Sequence, residues 1–374
     1  MRRWVGFFGF LVSLLGAPAL AADLVVAQVS PLSGPLGRSG QDHFTGAKVY
    51  FDQVNEQAGG VSGRRLRFLS EDDQYKPEET VRLVKLVAQR DRPALFVNLF
   101  GSANVVAVLK DKTLDRVRVP VFGVTPGSES LRSPGSPWLF HVTAGDREQV
   151  RHVVRHLSTI GLTRLALVFQ DNPFGKNGLA LAREFARDAG VTVAGEYAVP
   201  VGADDLKPVA SRLREAGAQA YLMVLATNSA ASFVRDVRAL GDATPTYGLS
   251  YASIGDVLGK TPLEQAAGVA LAQISPNIFS QNTAVVREFQ ATLKRYAPEV
   301  KEPTQQHFLG YLSARVAVEA LRKAGADASP EALAAAARAL RADLGGYQID
   351  FKGGNVGSTY VNIGVIGRSG RLVY

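Results

Sequence analysis

Leu24-Val25-Val26-Ala27-Gln28-Val29, then Ser30-Pro31-Leu32-Ser33-Gly34-Pro35, then residues 40–58, reads as a buried strand, a rigid turn and an amphipathic helix. The helix places Phe44, Ala47, Val49, Phe51 and Val54 along one apolar side. The pattern continues outward. Residues 66–69, 94–99 and 120–124 read as strands, and 77–89 and 105–114 as helices, with Pro77 at a permitted first-turn position. Strand, helix and strand in this order imply right-handed crossovers and a parallel sheet covered on both faces.

The alternation then begins again. Helices are expected over 146–160, 175–190, 206–216 and 230–240, and strands over 165–169, 191–197, 220–225 and 246–249. Two such runs make two similar lobes meeting near residues 140–145. The end of the chain departs from the series, with helices over 282–296, 306–325 and 330–341, the last N-capped by Ser329. After Gly345-Gly346 come strands at 347–351 and 359–366 and a turn at Arg368-Ser369-Gly370. Late helices and late strands imply a chain that crosses between lobes several times. The expected fold is α/β: two Rossmann-like lobes with parallel central sheets joined by a multi-strand hinge. Lobe 1 takes residues 23–143 plus 275–344, and lobe 2 takes 144–274 plus 345–374. Open parallel sheets present ligand-facing strand ends to the cleft between such lobes.

Residues 1–22 carry Arg2 and Arg3, a short apolar run and Pro18-Ala19-Leu20-Ala21-Ala22. A basic start, a greasy core and small residues at an Ala-x-Ala site read as a cleaved secretory signal. The apolar run falls short of the roughly 20 residues that span a bilayer. Cysteine is absent from the chain. That removes disulfides, thiolate metal sites, Cys nucleophiles and a lipid-modified N-terminal Cys. The formal net charge of +8 is scattered rather than clustered, which argues against nucleic acid.

Enzyme motifs are sparse. No Gly-x4-Gly-Lys-[Ser/Thr] cradle occurs, and Ser30-Pro31-Leu32-Ser33-Gly34-Pro35 stands where a dinucleotide glycine loop would follow the first strand. His152 and His156 share a helix face without a third ligand, whereas zinc wants three or four. Gly248-Leu249-Ser250-Tyr251-Ala252 lacks the second glycine of a nucleophile elbow. Adjacent Asp72 and Asp73 point to opposite faces of a strand, which suits bonds to loop amides better than paired acid–base work. No cofactor is expected. What the strand ends do carry is small and polar: Ser39, Gly101-Ser102, Thr125 with Gly127-Ser128, Thr227 and Ser250-Tyr251. Hydroxyls and bare amides at helix N-termini anchor small polar ligands.

Pro31 to Pro35, Gly40 with Phe44-Thr45-Gly46-Ala47, Asn55-Glu56 with Gly59-Gly60-Val61 and Gly63, Asp72-Asp73, and Asp171 with Phe174-Gly175 together resemble the leucine/isoleucine/valine-binding family. The resemblance runs over nearly all of the mature chain. It implies the type I periplasmic binding protein fold, a periplasmic location and a hinged receptor that hands a small molecule to an inner-membrane ABC permease; because closing lobes need freedom, a monomer is the expected state. It further implies lobe 1 ligand contacts from Ser39, Phe100, Gly101, Ser102, Thr125, Gly127 and Ser128. Lobe 2 would add Phe174, Thr227 and Ser250, beside which Tyr251 stands as a polar strand-end candidate.

The sequence departs from that family where an acidic residue usually stands at Ser250, and where Tyr usually stands at Ser39 and Phe174. An ammonium buried without a carboxylate partner costs several kcal/mol. The expected ligand is therefore an amino acid or a related small carboxylate or amide, with an apolar or aromatic body favoured over a plain aliphatic amino acid. The rival expectations are a ligand-sensing receptor that docks to a signalling partner and an exported α/β hydrolase.

Overall fold

The computed structural model describes residues 22–34 and 36–374; the signal read at the N-terminus, Ala22 apart, falls outside the described residues. The first sheet is built from β1 (Leu24–Ser30), β2 (Leu66–Asp72), β3 (Leu95–Leu99), β4 (Val121–Val124) and β5 (Leu139–Phe140). Its order is β2-β1-β3-β4-β5 and every pairing is parallel. The strands alternate with α1 (Gly37–Ala58), α2 (Pro77–Arg90), α3 (Ser102–Lys110), α4 (Thr113–Val117) and α5 (Glu129–Arg132). The single helix expected over 105–114 is two, because Lys112 takes a left-handed φ of 55° between them.

Side chains of one face, Val26, Val97 and Phe122, pack with α1, while Val29, Phe96 and Val121 pack with α2 and α3 on the other. The alternation breaks at the strand ends. Asn98 and Gly123, neighbours on β3 and β4, adopt φ of 57° and 77°. The kink carries Leu99 and Val124 to the face opposite Val97 and Phe122. Asn98 Nδ2 donates to Gln28 Oε1 at 3.0 Å, and Gln28 Nε2 to Ser30 Oγ at 2.7 Å, so a buried polar chain ties the ends of β1 and β3 together. A side chain at Gly123 would meet Ser313 Oγ at 2.0 Å. Gly123→Ala is expected to cost about 2 kcal/mol through left-handed strain and overpacking. Urea midpoints at constant m-value would check it.

The second sheet contains β6 (Arg164–Gln170), β7 (Thr192–Val199), β8 (Ala220–Val224), β9 (Thr246–Gly248) and β10 (Ala270–Gln273) in parallel, order β10-β9-β8-β6-β7. One face packs on α6 (Asp146–Thr159) and α7 (Pro173–Asp188). The other packs on α8 (Lys207–Glu215), α9 (Thr227–Ala239), α10 (Ile254–Lys260) and α11 (Leu263–Ala266).

The chain then returns to the first sheet's core with α12 (Ala284–Tyr296), α13 (Gln305–Ala324) and α14 (Pro330–Arg338). The two late strands do not pair with each other. β11 (Arg341–Asp343) pairs antiparallel with β12 (Gln348–Asp350), whose Ile349 lies in the first sheet's core. β13 (Asn362–Ile366) adds antiparallel to β10, and β14 (Leu372–Val373) to β13. Three stretches therefore run between the two sheets, and side-chain and backbone hydrogen bonds clamp them. Tyr347 Oη donates to Val142 O at 2.8 Å and reaches Ile274 O at 3.3 Å, joining two of them. His141 N–H donates to Asn355 O at 2.7 Å and Gly357 N–H to His141 O at 2.8 Å, joining the third.

Helices α1 and α13 cross at paired glycines. A Cβ on Gly46 would lie 1.8 Å from His307 O, and one on Gly310 would lie 2.1 Å from His43 O. Among the described residues no helix is long and apolar enough to cross a membrane.

Candidate ligand site at the strand ends

Asp72 and Asp73, at the end of β2, bond loop groups, as their adjacency suggests. Asp72 accepts from Leu32 N–H at 2.8 Å, Ser33 Oγ at 2.6 Å and Gln74 N–H at 2.9 Å. Asp73 accepts from Tyr75 N–H at 2.9 Å, Thr80 Oγ1 at 2.6 Å and Asn104 Nδ2 at 3.3 Å. The loops after β1, β2 and β3 are thus fixed to one another before any ligand is considered.

The candidate residues fall into two groups. On the first sheet, Ser39 lies in α1, where its carbonyl accepts from His43 Nδ1 at 2.8 Å. The His43 ring meets the buried Phe100 ring edge-on at 5.6 Å. Gly101, with φ of 86°, turns the chain into α3, which Ser102 begins. The amides at this turn have no partner inside the helix, and the helix dipole makes them a suitable seat for a carboxylate. Tyr75, which the sequence reading does not single out, meets Phe100 edge-on at 6.4 Å.

The second group joins the two sheets. Thr125 and Gly127 follow β4, and Ser128 precedes α5 with its Oγ 3.1 Å from Ser130 Oγ. Gly127 N–H donates to Tyr251 Oη, from the loop after β9, at 2.9 Å. Tyr251 Oη in turn donates to Asp146 Oδ1 at 2.5 Å, and Asp146 N–H donates to Gly127 O at 2.9 Å. The Phe174 ring, in the first turn of α7, meets Tyr251 edge-on at 4.9 Å. Ser250 presents its N–H to Gln149 Oε1 at 2.9 Å, so its backbone is committed to α6. Thr227 opens α9, and its side chain lies outside the described residues. His152 and His156 sit on α6, where the His156 ring faces Tyr247 at 5.7 Å.

Charge beneath this second group is buried. Asp146 is fully buried, and burial pushes its carboxyl up to about 6 against the opposing pull of Tyr251 and Arg132. Burial likewise lowers the Arg132 guanidinium, which donates to Thr143 O at 2.8 Å and Ala144 O at 3.4 Å. Burial first, and then the Asp146 charge, raise the Tyr251 hydroxyl well above its ordinary value. Tyr251 therefore stays neutral and serves as a two-way hydrogen-bonding bridge. Asp146 follows Gly145 in the sequence as an ordinary first-turn acid, and nothing local marks it as Tyr251's partner.

A family model described as periplasmic binding protein matches residues 24–360. A solved structure described as an extracellular ligand-binding receptor from Verminephrobacter eiseniae is 34% identical, with a TM-score of 0.87, and the match covers 94% of this chain and 100% of that one. A Leu/Ile/Val-binding protein homolog 8 from Brucella suis is 24% identical over 98% of this chain and 93% of its own length. A branched-chain amino acid ABC transporter protein from Thermus thermophilus, solved with bound valine, is 22% identical with a TM-score of 0.82, the match covering 94% of each chain.

Proposed function

The chain belongs to the periplasmic binding protein family, in its leucine/isoleucine/valine-binding type I branch, and from that premise we propose that it is the periplasmic, monomeric solute receptor of an ABC importer. It captures an amino acid or a related small carboxylate or amide between its two sheets and delivers it to the inner-membrane permease. The observation that carries this reading is the meeting of loops from both sheets at Gly127 and Tyr251, beside the Phe174 ring. Lobe 1 takes residues 23–143 plus 275–344 and lobe 2 takes 144–274 plus 345–374, except that we move β12 to lobe 1, because Tyr347, Ile349 and Phe351 lie in the first sheet's core.

In this mechanism Ser102 and the amides at the start of α3 take the ligand's carboxylate or amide end. Thr125 and Ser128 complete that wall, and Phe174 with Tyr251 close over the body from the other side. Ligand shifts the lobes toward closure only by the additional contacts it makes in the closed state. The stretches clamped by Tyr347 act as the hinge. Members of this family bind solutes rather than transform them, so no catalytic step is assigned.

The test is a thermal-shift panel of amino acids, aromatic acids, aliphatic acids and amides, with small-angle scattering on each hit. A ligand raises the melting temperature by mass action and shrinks the radius of gyration on closure. Scattering that is unchanged by every hit overturns the reading. Within it, Phe174→Ala is expected to weaken binding by about 1–3 kcal/mol through lost ring burial, with the melting temperature of the free protein retained. Calorimetric affinities of the variant and the parent check this.

A further inference from the structure

Gln74 and Tyr75 are consecutive non-glycine residues in the left-handed region, with φ of 53° and 61°. Each such residue costs on the order of 1 kcal/mol and persists only where its surroundings over-determine it. Here they do. Asp72 Oδ1 takes the Gln74 N–H, Asp73 Oδ1 takes the Tyr75 N–H, and Lys76 N–H donates to Asp73 O at 2.8 Å. Asp73 is itself fully buried and tied to Thr80 and Asn104.

This strained loop places one large side chain. The Tyr75 ring lies over the Phe100–Gly101 turn, and a Cβ on Gly101 would sit 2.5 Å from Tyr75 Cε2 and 2.8 Å from Asn104 Oδ1. A side chain at 101 and the Tyr75 ring therefore exclude each other. The space that a side chain at 101 would take is filled by an aromatic wall. Tyr75 keeps 39% of its surface exposed, and covering exposed aromatic surface on binding is favourable.

We propose that Tyr75 is a specificity-determining residue whose ring, with Phe100 behind it, forms an aromatic wall over the α3 carboxylate seat, and that the ligand is a planar aromatic carboxylate. The inference rests on the solute-capture reading above and names its substrate class. The ligand's carboxylate meets the amides at Gly101 and Ser102. Its ring lies between Tyr75 on one lobe and Phe174 with Tyr251 on the other. Offset or edge-on aromatic pairs contribute about 0.5–1.5 kcal/mol beyond their buried area, whereas a branched aliphatic chain gains area alone.

The experiment measures calorimetric affinities of the full-length mature protein for benzoate, 4-hydroxybenzoate, phenylacetate, isovalerate and leucine. The parent is compared with Tyr75→Ala, Tyr75→Leu and Tyr75→Phe. At least one aromatic acid is expected to bind the parent about tenfold or more tighter than isovalerate. Tyr75→Ala and Tyr75→Leu are expected to lose roughly that factor for the aromatic acid, and Tyr75→Phe to retain most of it. Tyr75→Leu preserves bulk, so it reports on the ring even if Tyr75→Ala disturbs the loop. Tighter binding of leucine or isovalerate than of every aromatic acid overturns this inference and leaves solute capture standing. Equal losses for aromatic and aliphatic probes in the leucine variant also overturn it. Absence of binding by the whole panel, with no closure by scattering, overturns both.

Discussion

Gly310→Ala is expected to destabilise the protein by about 3 kcal/mol or more, the upper end of what overpacking costs. The added Cβ would lie 2.1 Å from His43 O, a backbone atom of α1 that no rotamer change can withdraw. Gly46 makes the reciprocal approach to His307 O, so the two helices rest backbone on backbone at this crossing. Relief requires them to part, and α13 cannot move freely, since Phe308, Tyr311, Leu312, Val316 and Leu321 are all buried in the first sheet's core. Gly259→Ala provides the contrast. Gly259 lies on α10 with open space around the added atom, and the change should be neutral or stabilising by up to about 1 kcal/mol. Urea denaturation of the three proteins decides the matter, and equal midpoints for Gly310→Ala and the parent would show that the helices slide apart without loss.

Lowering the pH from 7 to 4 should cost the fold about 4 kcal/mol, by the pKa differences between folded and unfolded chains. Two buried histidines dominate. Burial lowers His43 from 6.5 to about 4, against the opposing pull of the Ser39 carbonyl and Asp42. Burial and then the Arg132 charge lower His141 from 6.5 to about 3. A depressed folded value means that the unfolded chain takes up protons first. The stability is whole above pH 6.5 and is lost as pH falls toward those folded values. Asp146 works the other way. Its carboxyl is raised from 3.8 to about 6, so its contribution is full below 3.8 and is lost as pH rises through 6. It therefore offsets part of the acid loss. Stability curves at pH 7, 5.5 and 4 should flatten in His141→Gln and steepen in Asp146→Asn. Parallel curves for all three would remove these groups from the account.

The architecture was legible because hydrophobic burial imposes period on the chain. The run from Leu24 to Val29 and the apolar side of α1 could only belong to a sheet covered on both faces, and the repeat after residue 145 could only be a second sheet. Very short elements escaped. Leu139–Phe140 and Leu372–Val373 are strands because neighbours offer edges to them, not because two residues carry a pattern. The flip at Asn98 and Gly123 was hidden for a related reason: a left-handed kink costs nothing in composition, yet it reverses which face Leu99 and Val124 join.

The site divides the same way. Helix N-termini and polar strand ends can be read from residue types, so Gly101, Ser102, Thr125 and Ser128 stood out. Tyr75 did not, because its role depends on Asp73 holding a strained backbone and on the missing side chain at Gly101. The bridge from Gly127 through Tyr251 to Asp146 joins loops more than a hundred residues apart, which no local pattern records.

The return of α12–α14 to the opening sheet reverses the order in which the molecule is made and the order in which it can be buried. Val26, Val97 and Phe122 leave the ribosome early, but Phe289, Phe308, Leu333 and Phe351, which cover them, are made last. At roughly 5–20 residues per second, synthesis from residue 140 to 351 takes roughly 10 to 40 s. Throughout that interval α1 is the one helix already made to cover this face of the nascent sheet, so whatever escorts the polypeptide must shield its first-made part the longest.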